Sequence, residues 1–317
     1  ADLRRLSLTR CRAAGLATML GKQVPAGTAY LNVGHSNLSA PVLAALRRVP
    51  GARISVLIHD TIPLDFPQYS GAGIPDAFRD KLRAVGEHAD LVICNSEVTH
   101  RDAARHMAEM GRVPPMTVAH LGVELPEPDP RGLPEGLDLS RPYFLTVGTI
   151  EPRKNHALLL DVWEGFHNDL PEDKIPRLFI AGTRGWRNED VFRRLDSAPF
   201  MGRNVVELAD LSDAALAALT QGATALLFPS HAEGYGLPPL EAAALGTPVI
   251  ASDLPVHAEV LGDFAVYLSG RDAYSWRNKI LGMTRGRGQT GKAAPQSGQG
   301  PALPTWDAHF ETVLALT

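Results

Sequence analysis

The chain has 317 residues, of which 44% are hydrophobic and 21% charged, and carries a net charge of −4. That length and balance suit two globular domains, each able to bury its own core, and exclude a fibrous or disordered chain. No apolar run reaches the roughly 18 residues of a membrane-spanning helix, and two cysteines without partner spacing, Cys11 and Cys94, point to a reducing compartment rather than a disulfide scaffold.

The charge is uneven. Residues 1–58 hold eight basic side chains (Arg4, Arg5, Arg10, Arg12, Lys22, Arg47, Arg48, Arg53) and one acid, Asp2, which leaves −11 for the remainder. Such a lobe suits contact with anionic lipid or a phosphorylated acceptor, and equally a solvated helix face. The basic residues lie in one segment without interleaved aromatics, so a nucleic-acid partner is not expected.

In chain order, residues 2–20 mix leucine and arginine as a basic amphipathic helix does. They read as mid-helix rather than as a signal peptide. Short apolar runs at 29–33, 54–58, 91–94 and 116–119 then alternate with helical patterns near 39–48, 76–88 and 97–110. Strands separated by helices predict βαβ units and a parallel sheet. Residues 1–123 are therefore expected to form one Rossmann-like domain.

Four prolines within 124–134 cannot continue a helix or a central strand, so 124–141 is expected to be a linker. A second βα series follows over 142–284, with strands at 143–147, 178–181, 205–208, 225–228, 249–252 and 265–268. The fold class is α/β: two doubly wound halves, with a cleft expected between their strand ends. Residues 285–303 are Gly/Gln/Pro-rich and expected to be flexible. Within them, Gly286 to Lys292 imitates a P-loop, but Ala293 replaces the required Ser/Thr and no strand precedes it. Residues 304–317 read as a last helix capped by Thr305.

The chemistry gathers where strands end. The run from His231 to Glu241 (His-Ala-Glu-Gly-Tyr-Gly-Leu-Pro-Pro-Leu-Glu) leaves a strand, turns on two glycines and opens a helix. Unpaired N–H groups and the helix dipole favour an anion there. Glu233 and Glu241 bracket the turn, and carboxylates beside an anion site suit sugar or ribose hydroxyls. After the 143–147 strand, Gly148-Thr-Ile-Glu-Pro-Arg153-Lys154-Asn155 forms a second glycine turn with adjacent cations. There Arg153 can clamp a phosphate and Lys154 add a point charge. Two histidines, His35 and His59, also end strands, and either can hydrogen-bond a hydroxyl or share charge with a phosphate. Asn95-Ser96 reads as a helix cap.

Glu-Pro-Arg-Lys-Asn after a Val-Gly strand, followed about eighty residues later by Glu-Gly-Tyr-Gly-Leu-Pro-x-x-Glu, resembles the retaining GT-B glycosyltransferases of family GT4, over roughly 28–282. The second half has the look of bacterial exopolysaccharide and lipopolysaccharide glycosyltransferases. The resemblance implies transfer of a hexose, with retention, from a UDP- or GDP-sugar to a glycan or lipid-linked acceptor in polysaccharide biosynthesis. It implies a cytoplasmic enzyme, in peripheral contact with the inner face of the membrane through the basic lobe.

By the same resemblance Arg153 and Lys154 would hold the donor diphosphate, Glu241 the ribose and Glu233 the sugar hydroxyls. Backbone N–H groups of Tyr235, Gly236 and Leu237 would meet sugar or phosphate. Gly148, Thr149, Gly182 and Arg184 would line the donor site, and the 207–211 segment, with Ala209 and Leu211, would meet the base. His35 is the implied functional histidine; His59 with Asp60 is the alternative on the acceptor side. The family's opening strand and glycine-rich loop are not visible, so the first domain is expected to be incomplete. Thr149 stands where some relatives carry an arginine, which puts more of the charge on Arg153 and Lys154.

No Asp-x-Asp pair occurs, in keeping with neutralisation of the leaving group by side chains and N–H groups, so no metal or other cofactor is expected. An epimerase or phosphorylase on the same plan, and a non-catalytic sugar-nucleotide binder, are the alternative functions.

Overall fold

The computed structural model describes residues 9–287 and 303–317. Residues 1–8, the P-loop imitation beyond Arg287 and the rest of the Gly/Gln/Pro-rich segment to residue 302 lie outside the described residues. The chain divides into two compact units, residues 1–121 with 306–317 and residues 122–305.

The first helix is shorter than its leucine and arginine spacing suggests. Residues 9–14 are all exposed, so no packed face supports a helix there. A 3-10 turn at Ala13–Gly15 leads instead into α1 (Leu16–Gln23). Next come β1 (Ala29–Asn32), α2 (Ala40–Leu46), β2 (Arg53–Ile58), α3 (Ile62–Asp65) and α4 (Ile74–His88). The unit continues with β3 (Leu91–Cys94), α5 (Glu97–Glu109) and β4 (Met116–Val118).

The four strands pair in parallel in the order β1-β2-β3-β4. The apolar runs of the two central strands, β2 and β3, are explained by burial on both faces, whereas the edge strands β1 and β4 are partly exposed. Ile54, Val56, Ile58, Val92 and Cys94 pack on one side against Leu43, Leu82, Val85 and Met107 of the helices. Burial pushes the Cys94 thiol up to about 12, aided by Glu97, so it stays a neutral core side chain. Ser96 caps α5 by accepting from the Thr99 N–H at 3.0 Å, as its place before the helical pattern suggests.

The second unit begins at Gly122 and takes in the whole proline-rich segment. Residues 124–141 lie along this unit: the Asp129 N–H donates to Ala214 O at 2.9 Å, and Arg177 Nη1 donates to Asp138 O at 2.9 Å. Beyond them run β5 (Tyr143–Val147), α6 (His156–Asp169), β6 (Arg177–Ala181), α7 (Glu189–Ser197), β7 (Val205–Leu208) and α8 (Asp213–Gly222). Then come β8 (Ala225–Phe228), α9 (Leu237–Ala244), β9 (Val249–Ser252), α10 (Pro255–Leu261), β10 (Ala265–Leu268) and α11 (Ala273–Arg287).

All six strands are parallel in the order β10-β9-β8-β5-β6-β7. From β5 the chain moves outward to β6 and β7, then returns to the other side of β5 to lay down β8, β9 and β10. The loops leaving neighbours β5 and β8 therefore diverge to opposite faces and open a crevice at their carboxyl ends, where doubly wound sheets bind ligands. Phe144, Trp163, Phe166, Leu178, Ile180 and Trp276 centre the core beneath.

The last helix, α12 (Trp306–Leu316), returns to the first unit. Val313 packs against Leu57, Leu91, Ile93 and Ala119 on the second face of the first sheet. Buried His309 donates from Nδ1 to the carbonyls of Ala119 at 3.2 Å and His120 at 3.1 Å.

Candidate active site

The site is built on the two loops at the switch point of the second sheet. β5 ends at Val147, and Gly148 turns the chain at φ +133°, a conformation that side chains disfavour. The first residue beyond β6, Gly182, passes so close that an added Cβ would lie 2.1 Å from Gly148 O, so no other residue fits. The turn runs on through Thr149, buried Ile150 and buried Glu151 into a 3-10 turn at Pro152–Lys154. Asn155, left-handed at φ 56°, then starts α6. Its amide donates one hydrogen to Pro229 O at 3.0 Å and the other to Gly270 O at 2.8 Å. Asn155 thus pins the cation-bearing turn to the ends of β8 and β10.

From the facing loop, Glu233 comes to the two cations. Its Oε2 lies 2.6 Å from Arg153 Nη1 and its Oε1 2.7 Å from Lys154 Nζ. Arg153 also gives Nε (3.0 Å) and Nη2 (2.7 Å) to Glu151 Oε1, and Nη1 (3.0 Å) to Ala232 O. Lys154 Nζ stands 4.6 Å over the Phe228 ring. Burial pushes the Glu233 carboxyl up, but Lys154 and Arg153 outweigh it and hold the group below the ordinary carboxylate value. The residues expected to hold a diphosphate and a sugar are thus brought together, joined to one another.

Tyr235 is buried, and Gly236, at φ +113°, leads into α9. Pro238 and Pro239 occupy the first turn and have no N–H, so the amides at this helix start are those of Gly236 and Leu237. One turn further, half-buried Glu241 lines a pocket of about 200 Å³ with Val147, Asp213, Thr220, Leu216 and Pro238. Burial, and then the nearby Asp213 charge, raise the Glu241 carboxyl above its ordinary value.

Arg184 is committed within the protein. It grips Glu207 bidentately at 2.9 and 2.6 Å and reaches Asp196 at 2.7 Å, which fastens the loop after β6 to β7. Beyond β7, exposed Ala209 and half-buried Leu211 flank Asp210, whose φ of 56° is left-handed.

In the first unit, His35 and His59 are braced together rather than alternatives in separate places. Their rings lie 5.4 Å apart. His35 Nε2 is 3.0 Å from Leu57 O and His59 Nε2 2.7 Å from Val33 O. Carbonyl oxygens only accept, so Nε2 carries a hydrogen in each ring. Burial, and then His59, lower the affinity of His35 for a proton, against the Leu57 carbonyl. His35 holds a left-handed φ of 57°, its N–H accepted by Asn32 Oδ1 at 2.9 Å. Asp60, just ahead of α3, accepts from the Ile62 N–H at 3.0 Å.

Sequence reasoning missed the partners that only folding supplies. Glu151 and Asn155 stood inside the quoted motif without a role. His257, wholly buried, binds Ser252 O through Nδ1 at 2.8 Å and presents Nε2 without a hydrogen-bond partner. Its Cδ2 lies 3.7 Å from where a Cβ on Gly236 would sit. Among the described residues, no three His, Cys, Asp or Glu side chains form a metal-holding group, and no helix is long and apolar enough to cross a membrane.

Two parallel α/β units with this switch-point site have the architecture of GT-B glycosyltransferases. Superposition on the crystal structure of Anabaena HepE with UDP and glucose gives a TM-score of 0.70 at 16% identity, covering 100% of this chain and 83% of that one. At that identity the likeness is one of fold. Residues 134–281 match the family described as Glycosyl transferases group 1, and that segment belongs to it. It is 35% identical over 236 residues to the serotype-specific mannosyltransferase WbdA of Escherichia coli, a match that covers 70% of this chain and 29% of WbdA. To the D-inositol 3-phosphate glycosyltransferase of Mycolicibacterium paratuberculosis it is 28% identical over 280 residues, 82% of this chain and 60% of that protein. The chain thus spans less than two thirds of the curated relatives it matches.

Proposed function

We propose that the chain carries a retaining glycosyltransferase, which moves a hexose from a nucleoside-diphosphate sugar to a hydroxyl of a glycan or lipid-linked acceptor in polysaccharide biosynthesis. The observation that carries this is the meeting of Arg153 and Lys154 with Glu233 at the switch point of the second sheet. Glu241, on the helix that follows the Glu233 loop, lines a pocket together with Val147, the last residue of β5. Cations, a buried carboxylate and a second acid in a pocket match the needs of a diphosphate, a sugar and a ribose.

In the proposed reaction the bond from the anomeric carbon to the donor phosphate oxygen breaks while the acceptor oxygen bonds on the same face. The acceptor proton passes to the departing phosphate. Arg153 and Lys154 stabilise the charge that develops on that leaving group, and Glu233 and Glu241 orient sugar and ribose. No metal is invoked. His35 and His59 serve the acceptor side in this proposal, on the resemblance alone. The proposed location is the cytoplasm, at the inner face of a membrane.

Mannose is the first hexose to test, because WbdA is named a mannosyltransferase. Thermal-shift screening against UDP-, GDP-, ADP- and dTDP-sugars identifies the donor, since a specific ligand stabilises the fold in proportion to the logarithm of its excess. Transfer of labelled sugar to an acceptor then checks the activity. Release of epimerised nucleotide or sugar phosphate in place of transfer would refute it, and binding without any turnover would make the protein a sensor.

A further inference from the structure

The cations of the candidate site are electrically spent before a substrate arrives. Arg153 and Lys154 face the carboxylates of Glu151 and Glu233, so the four side chains sum to zero. They are also shielded: side-chain exposure is 6% for Glu151, 8% for Glu233 and 12% for Lys154. A diphosphate approaching this cluster meets no net side-chain charge unless one carboxylate gives way.

The two acids differ in how they are held. Glu151 lies two residues from Arg153 on the same short turn, and the Lys154 N–H is bonded back to its carbonyl at 3.0 Å. Glu233 arrives from the facing loop and is followed by Gly234 and Gly236, with Gly236 in a conformation few residues adopt. Glycines let that backbone turn at low cost. Glu233 also spans both cations, so its departure uncovers Lys154 Nζ and the Nη1 side of Arg153 at once, while Glu151 keeps the other side of Arg153. A buried carboxylate that loses its partners needs new donors, because an unpaired charge in a shielded site is costly. The hydroxyls of a transferred sugar are such donors. A nucleoside diphosphate has none beyond its terminal phosphate.

We infer that Glu233 selects the intact donor over the spent nucleotide: it holds the phosphate seat of the empty protein, is displaced from Arg153 and Lys154 by the donor diphosphate, and is then taken up by the hydroxyls of the attached sugar. The bare diphosphate product must displace the same carboxylate and offers it nothing, so it leaves readily and inhibits weakly. This rests on the proposed binding of the diphosphate at Arg153 and Lys154.

The test is calorimetric titration of UDP and GDP against UDP-glucose and GDP-mannose, in the wild type, Glu233→Gln and Glu151→Gln. Glu233→Gln is expected to tighten the bare diphosphate at least tenfold and the intact nucleotide sugar far less, so that their affinity ratio shifts at least fivefold toward the bare nucleotide. Glu151→Gln removes the same charge without touching the hydroxyl partner, so it is expected to tighten both ligands alike and leave the ratio unchanged. A ratio unchanged in Glu233→Gln, or shifted equally in Glu151→Gln, overturns the inference while leaving the donor site standing. If none of the three proteins binds these nucleotides or the ADP and dTDP pairs, both are overturned. Ligand-free melting curves check folding. If Glu233→Gln does not fold, Glu233→Asp carries the test, since it withdraws the carboxylate by one methylene from a position that must span two cations. The bare diphosphate is then expected to tighten at least threefold, and no change overturns the inference.

Discussion

The second unit's cation cluster and the first unit's histidine pair solve different problems with polar groups. In the cluster, side chains from two loops neutralise one another: Arg153 and Lys154 on one, Glu233 on the other. In the pair, each ring spends one nitrogen on the backbone beside the other ring, Leu57 O for His35 and Val33 O for His59. Charges joined mainly to each other make a site whose electrostatics change when a ligand separates them. Rings tied to backbone form a brace that holds its shape. The first arrangement is suited to chemistry on an anion and the second to holding two ring edges in a fixed orientation.

Breaking the cluster is expected to have the largest effect. Lys154→Ala leaves one oxygen of a buried carboxylate without its partner and removes a charge from the proposed leaving-group site. Glycosyl transfer should fall about 100-fold, on the scale of losing one group that stabilises developing charge. Initial rates at saturating donor check this, and rates near wild type would refute the assignment. Glu241→Ala should act mainly on binding, weakening the donor about tenfold, the worth of roughly one hydrogen bond to a charged group. Titration with donor, and a KM that rises more than kcat falls, check it.

Asn155→Ala tests what holds the cations in place. It strips hydrogen bonds from two carbonyls and keeps a left-handed backbone that alanine disfavours, so about 2 kcal/mol of stability should be lost. The melting temperature should fall by several degrees, measured without ligand.

Acid should weaken both regions in the same direction. Burial, and then the Lys154 charge, lower His156 from 6.5 to about 4 in the folded chain, and neither ring nitrogen has a hydrogen-bond partner. The unfolded chain therefore binds the extra proton between pH 6.5 and 4. Stability is full above 6.5 and is lost as pH falls through that window. His35 is lowered too and adds to the same slope. Urea midpoints at pH 7.5 and 5 check this, and His156→Leu should flatten the dependence.

The smallest effects are expected in the brace itself. His35→Ala or His59→Ala loses one hydrogen bond to backbone, about 1 kcal/mol. Near-additive losses in the double variant would show that the rings act separately; marked non-additivity would show one unit. If His35 serves the acceptor, its variant raises the acceptor KM and leaves donor affinity alone.

Local physics made much of this legible. Apolar runs of four to six residues bounded by turns mark the strands, and the observed bounds of β3, β5, β7, β8, β9 and β10 coincide with the runs. Turn glycines and adjacent charges marked the two loops. Where packing rather than pattern decides, the sequence was a poorer guide: leucines and arginines over 2–20 suggested a helix whose described part is fully exposed before residue 15.

The amino-acid sequence by itself determined the alternation of strand and helix, the two-unit plan and the residue types that gather at strand ends, because these follow from neighbours within a few positions. Tertiary structure alone decided that β8 lies beside β5, that α12 returns to the first sheet, that His35 meets His59, and that Glu233 closes onto cations some eighty residues away. Those are contacts between distant segments. They depend on sheet order and shared burial, which local periodicity does not encode.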